Sequence, residues 1–93
     1  MLYLVVYDIS ADRLRARLAK VLEAFGARVQ GSVFEVRLPE SKLEELRSAL
    51  SAVVREGSAG EVRVYPVCVR CYNDAFALGD IENSTGDGGF VIV

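Results

Sequence analysis

Asp8 follows directly on the apolar run Leu2-Tyr3-Leu4-Val5-Val6-Tyr7. Its carboxylate stands where a strand ends and a helix is about to begin, held by a rigid element yet open to solvent. Alone, such an aspartate either satisfies backbone amides at the helix start or offers one hard oxygen ligand to a cation. One carboxylate is a poor cage for Mg2+. Two Asp8 side chains facing each other across a two-fold axis could share one hydrated ion, so pairing of two copies would complete the site.

Close behind it, Arg13, Arg17 and Lys20 recur at i, i+4 and i+7 on one face of the expected helix, and Arg15 projects beside its apolar stripe toward the strand end that bears Asp8. Arg28 extends the basic set onto the next strand. Such a stripe is either a solvated face, moderated here by Asp12 and Glu23, or a surface that meets phosphates. Ser32 lacks the usual route to nucleophilic activation because the chain contains no histidine, which leaves turn chemistry as its ordinary role. Tyr3, Tyr7 and Phe34 are packing residues first, although rings on an uncovered sheet face could also stack on bases.

Cys68-Val69-Arg70-Cys71 has the C-x-x-C spacing of thiol redox pairs and zinc sites. It follows the last core strand and is not expected to open a helix. An extended chain would point the two thiols to opposite faces and leave them as small, partly buried residues. A disulfide and a zinc site of four thiolates shared across a dimer are the alternatives.

The elements that must position these groups are legible in the patterning. The run from Leu2 to Tyr7 reads as a strand buried on both faces, ended by Asp8. Ser10 is placed to cap a helix with Leu14, Leu18, Val21, Leu22 and Phe25 on one face, and Gly26 stands where a C′ glycine belongs. Arg28–Gln30 and Val33–Leu38 read as strands broken at Gly31-Ser32, the second apolar on one face only. Pro39 and Ser41 introduce a second helix carrying Leu43, Leu46, Leu50, Val53 and Val54, which ends between Gly57 and Gly60. Glu61–Val67 alternates as a half-buried strand whose Pro66 assigns it to an edge.

The order β-α-β-β-α-β predicts an α+β, ferredoxin-like fold: a four-stranded antiparallel sheet with both helices on one face and the other face bare. A sheet so apolar, in so short a chain, should dimerise so that two bare faces bury each other. Residues 1–72 form this core. Residues 73–93 hold four acids and no base, and the glycine-rich stretch Ser84–Gly89 tethers Phe90-Val91-Ile92-Val93, a strand suited to an edge of its own sheet or of a partner's.

At 93 residues, with 52% hydrophobic and 26% charged, the chain can close one core and no more. It has no apolar run of bilayer-spanning length, and Met1 leads into a strand without a charged leader, which reads as a cytoplasmic protein with no membrane partner. The net charge of -2 argues against a protein that grips nucleic acid over its whole surface. Residues 1–37 nonetheless carry six bases against four acids, whereas the remainder carries five against nine, so a local basic patch is retained.

Taken together, Val6-Tyr7-Asp8-Ile9-Ser10, the helix ending at Gly26, the run Arg28-Val29-Gln30-x-Ser32-Val33-Phe34-Glu35 and the strand Glu61-Val62-Arg63-Val64-Tyr65-Pro66 resemble the Cas-two family, small CRISPR-associated proteins of the spacer-acquisition machinery. The resemblance covers roughly residues 2–67 in order and spacing. It implies a homodimer that bridges integrase subunits and positions protospacer DNA in CRISPR adaptation, with C-terminal strands exchanged between protomers. Some members are described as metal-dependent endonucleases acting on RNA or duplex DNA. The family's metal-binding aspartate falls on Asp8, the arginine early in its first helix on Arg15, and its serine and phenylalanine on Ser32 and Phe34. The chain departs from many relatives in its acidic tail and in Gly31, where a bulkier residue is common.

Two functions follow from this resemblance. In one, the protein is a scaffold and the partner integrase does the chemistry. In the other, an Mg2+ shared by two Asp8 residues activates water for phosphodiester hydrolysis while Arg15 stabilises developing charge. The absence of a separate general base favours the scaffold. A third reading, of another class, is a ferredoxin-like regulatory or metal-binding module acting through Cys68 and Cys71.

Overall fold

The computed structural model describes residues 1–57, 60–79 and 91–92. Its first strand, β1 (Leu2–Asp8), buries Tyr3, Val5 and Tyr7 on one face, leaves Leu4 and Val6 half-buried on the other, and ends with Asp8 exposed. The continuous apolar run predicts burial on both faces. One face is only half covered because the two long helices pack together on the opposite side.

Helix α1 (Asp12–Glu23) presents Leu18 and Leu22 to that core. Ser10 is not its cap: the N-cap is Ala11, which has no side-chain hydrogen bond, and the acidic Asp12 complements the helix start instead. Nor does Gly26 end the helix. The C-cap is Ala24, and Gly26 already belongs to β2 (Gly26–Gln30), which pairs with β3 (Val33–Arg37). A glycine is required there by close approach, since a Cβ at position 26 would lie 2.1 Å from the Glu35 carbonyl oxygen. A register shift between Arg28 and Gln30 bulges β2.

Pro39 leads into a single 3-10 turn, Glu40–Lys42, and then α2 (Leu43–Val54), whose Leu46, Leu50 and Val53 meet Leu18 and Leu22 over the sheet. Strand β4 (Glu61–Val67) completes a four-stranded sheet of order β2-β3-β1-β4, antiparallel throughout. This is the expected ferredoxin-like arrangement, and Pro66 sits in an edge strand as its missing N–H requires.

The other face of the sheet is not wholly bare. Directly after β4 the chain turns into a short helix, α3 (Val69–Asn73), where an extended continuation is predicted. Tyr72 on α3 donates its hydroxyl proton to Glu35 Oε1 at 2.9 Å, and the Arg37 guanidinium lies 5.2 Å from the centre of the Tyr72 ring. Glu35, expected on the polar face of its strand, is thereby left only 5% exposed. Beyond α3, β5 (Phe76–Ala77) pairs in parallel with β6 (Val91–Ile92) of the same chain, so the C-terminal strand joins neither edge of the main sheet. Phe90, Val93 and the tether Ser84–Gly89 lie outside the described residues. No helix among the described residues is long and apolar enough to cross a membrane.

The Gly26 contact gives a direct test of this packing. Gly26→Ala forces β2 away from β3 and should cost about 1–3 kcal/mol of unfolding free energy in urea denaturation, whereas Gly31→Ala, whose added methyl meets nothing within 4 Å, should leave the midpoint within the scatter of surface substitutions.

Candidate nucleic-acid and metal site

Asp8 is the last residue of β1, and the antiparallel register places it opposite Glu61, the first residue of β4. Side chains directly opposite across two strands share a face with their Cβ atoms about 5 Å apart, so one protomer sets two carboxylates side by side. Glu61 is itself engaged. Arg63 Nε lies 3.2 Å from Glu61 Oε1 and Arg63 Nη2 donates to Oε2 at 3.4 Å, while Arg63 Nη1 donates to the Tyr65 hydroxyl at 3.4 Å. These contacts raise the Arg63 pKa above its ordinary value, with Tyr65 contributing first and Glu61 second.

The loop after Asp8 is fixed from two sides. Arg15 Nη1 donates to the carbonyls of Ile9 at 3.1 Å and Ser10 at 3.3 Å, and its Nη2 pairs with the Asp12 carboxylate. Gly60, with φ +122°, leans on the same corner: a Cβ there would lie 3.1 Å from the Asp8 carbonyl oxygen and 3.0 Å from the Ile9 side chain. Arg15 thus holds the loop that follows Asp8, with both of its Nη nitrogens engaged in doing so.

Ser32 reaches the same neighbourhood through its backbone. The Tyr7 N–H donates to the Ser32 carbonyl at 3.1 Å and the Tyr7 hydroxyl to the Gly31 carbonyl at 3.3 Å, so the Gly31-Ser32 turn is laced to the residue before Asp8. Phe34 lies apart from any solvent-facing chemistry. It is fully buried, with its ring centroid 6.3 Å from that of Tyr7 and the Arg28 guanidinium 5.3 Å from its centre.

Arg13, Arg17 and Lys20 are all exposed on α1. Arg17 pairs with Glu56, whereas Arg13 and Lys20 make no ion pair with any described residue. A groove of about 1000 Å³ lies elsewhere, between α2 and β4 on the helical side, lined by Leu43, Leu50, Val54, Val64 and others but not by Asp8. That groove and the Asp8 corner are separate features of the fold.

The cysteines stand at the far end of the sheet, because Cys68 follows Val67 and Val67 pairs with Leu2. Six residues of strand, about 20 Å, separate that end from Asp8. Both thiols are exposed and free, not partly buried, and they do open a helix: Cys68 is the N-cap of α3, its Sγ accepting the Cys71 N–H at 3.2 Å. A sulfur acting as cap ends the extended chain there and puts both thiols on one helical turn.

Pairing β1 with β4 in register from the sequence would have found Glu61 opposite Asp8. No periodicity could have found Glu35 and Tyr72, because their contact depends on α3 folding back. Among the described residues no three His, Cys, Asp or Glu side chains cluster for metal, so one protomer supplies Asp8 and Glu61 at most. Two carboxylates suit a hydrated hard cation and not zinc.

The profile of the family described as CRISPR associated protein Cas2 matches residues 1–75. The chain belongs to the Cas2 family. The protein named CRISPR-associated endoribonuclease Cas2 1 of Chloroflexus aurantiacus is 38% identical over 86% of this chain and 86% of its own length, and a protein of that name from Archaeoglobus fulgidus is 43% identical over 86% and 85%. Among solved structures, Streptococcus pyogenes Cas2 superposes with a TM-score of 0.65 at 26% identity, over 73% of this chain and 87% of that one. A chain of a partial Cas6-RT-Cas1–Cas2 complex superposes with a TM-score of 0.71 at 28% identity, over 80% of each.

In this member of the Cas2 family, Asp8 and Glu61 are like charges on adjacent strands, a repulsion that the Arg63 guanidinium on Glu61 offsets in part. Asp8→Asn should therefore melt at or slightly above the wild-type temperature in low salt, with the difference fading in high salt as screening removes the repulsion. A clear fall in Tm would show Asp8 to be a structural cap.

Proposed function

We propose that two copies join through the open face of the sheet, and that the dimer bridges integrase subunits and positions protospacer DNA during CRISPR adaptation. The observation that carries this reading is the make-up of that face. Leu4, Val6 and Val33 are half-buried along its middle, Tyr65 is 46% exposed beside them, and Asp8 stands at its rim. A second copy across a two-fold axis would cover the apolar strip and bring two Asp8-Glu61 pairs together. The presence of a relative in a Cas1–Cas2 complex supports an integrase partner. Arg13 and Lys20, exposed and without an ion pair among the described residues, are the best placed phosphate contacts on α1, and two-fold symmetry doubles them.

Hydrolysis is the second reading, favoured by the carboxylate pair and by the endoribonuclease names of the relatives. The Asp8-Glu61 pairs of two copies would together hold one hydrated Mg2+, and that ion would supply an activated water and an electrophile for the phosphate. The chain's own residues give it little help: Arg15 is held by the Ile9 and Ser10 carbonyls, Glu61 by Arg63, and there is no histidine to take a proton. That shortage ranks the scaffold first.

Wild-type and Asp8→Ala protein, each verified as a dimer by light scattering, should be incubated with RNA and duplex DNA with and without Mg2+. The scaffold reading expects no cleavage from either dimer. Cleavage that needs both Asp8 and the ion would establish the nuclease instead. For the interface, Arg13→Ala/Lys20→Ala should weaken duplex binding and lower the slope of log affinity against log salt by about two for each protomer in contact.

A further inference from the structure

The chain leaves the sheet at Val67 and turns at once, with Cys68 in extended conformation (φ -72°, ψ 155°) and the next turn helical. Two backbone N–H groups close that turn around the two cysteines. The Tyr72 N–H donates to the Cys68 carbonyl at 3.0 Å, and the Cys71 N–H donates to Cys68 Sγ at 3.2 Å. Residues three apart on a helical turn have Cα atoms about 5 Å apart, inside the span a disulfide accepts. The turn itself is anchored, since Tyr72 is buried and bonded to Glu35 with the Arg37 guanidinium over its ring. Both thiols nevertheless face solvent. Proximity, a fixed scaffold and access are what a thiol pair needs in order to exchange with a disulfide in solution.

We propose that Cys68 and Cys71 form a redox-active dithiol, with Cys68 the attacking thiol and Cys71 the resolving one, whose substrate is a small soluble disulfide of the oxidised-glutathione class. The two sulfurs are unequal. Hydrogen bonds from the Cys71 side chain and then the Cys71 N–H hold the Cys68 pKa below its ordinary value, and the same contact to Cys68, with the negative charge there, holds Cys71 above its own. The Cys68 thiolate attacks one sulfur of the external disulfide, forming a mixed disulfide and releasing the first small thiolate, which takes up a proton. Cys71 then loses its proton and attacks Cys68 Sγ, forming the Cys68–Cys71 bond and releasing the second small thiol. Two electrons and two protons pass from the protein pair to the external disulfide, which leaves as two thiols.

No third Cys, His, Asp or Glu side chain clusters with the pair among the described residues, which favours disulfide chemistry over a metal site in one protomer. The site also lies at the opposite end of β1 from Asp8. It therefore stands or falls independently of the proposed nucleic-acid function.

The full chain should be equilibrated in mixtures of reduced and oxidised glutathione, quenched with acid and weighed by intact-mass spectrometry. The expected product is a chain lighter by two hydrogens. Cys71→Ser should stop at a single glutathione adduct mapped to Cys68, while Cys68→Ser should form its adduct at least about tenfold more slowly at pH 7. On the wild-type chain, iodoacetamide should alkylate Cys68 first, with a half-maximal rate at a lower pH than for Cys71, a readout that does not depend on any variant folding. Equal alkylation profiles, adducts without internal closure, or a zinc or copper ion retained stoichiometrically in the native mass would each overturn the proposal.

Discussion

The structure depends on one central strand that must be paired along both of its edges. β1 lies between β3 and β4, and all seven of its residues from Leu2 to Asp8 are in register with β4. An unpaired backbone group at that position would cost as much as a lost buried hydrogen bond, so the two flanking strands are fixed in direction and register once β1 forms. Alternation then sends Tyr3, Val5 and Tyr7 into the core with Phe34 and Val36, and leaves the even-numbered side to whatever can cover it.

Everything placed on the two ends of the sheet follows from that register. At one end Asp8 must face Glu61, and the corner is closed by Arg15 across the Ile9 and Ser10 carbonyls and by Gly60 against the Asp8 backbone. At the other, Leu2 faces Val67, so the chain that leaves β4 can fold α3 back over Glu35 and Arg37. The open face is thus covered at the Leu2 end and exposed toward Asp8. Among the described residues, that asymmetry leaves the Leu4, Val6 and Val33 strip and the carboxylate rim as the uncovered part of the face.

Much of this was legible in the sequence because it depends on local pattern. The apolar spacing of Leu18 and Leu22, the alternation of Glu61 to Val67 and the turn at Gly31-Ser32 each report a period or a turn that neighbouring residues determine. Two of the errors fell where a long-range contact overrode a local rule. Gly26 reads as a helix stop, yet it is needed because the Glu35 carbonyl approaches from β3. Cys68-x-x-Cys71 reads as strand-side residues, yet the sulfur caps a helix whose docking depends on Tyr72 reaching Glu35. At the candidate site Asp8 and Arg15 were singled out by type and spacing, whereas Glu61 required the register of β1 on β4. Phe34, carried over from the family pattern and read from its type as a packing residue first, is fully buried in the core.

The proposed pairing of two copies through the open face would bring their Asp8 carboxylates together, and counting ions per chain tests that pairing, and the cation site it would complete, most directly. Titration of the dimer with Mn2+, a hard cation that accepts the same oxygen ligands as Mg2+, should saturate at one ion for every two chains when followed by calorimetry or by loss of the free-ion paramagnetic signal. Asp8→Ala should abolish that binding while remaining dimeric. Saturation at one ion per chain, or binding unchanged in Asp8→Ala, would contradict a shared site and leave the carboxylates as an exposed rim without a metal role.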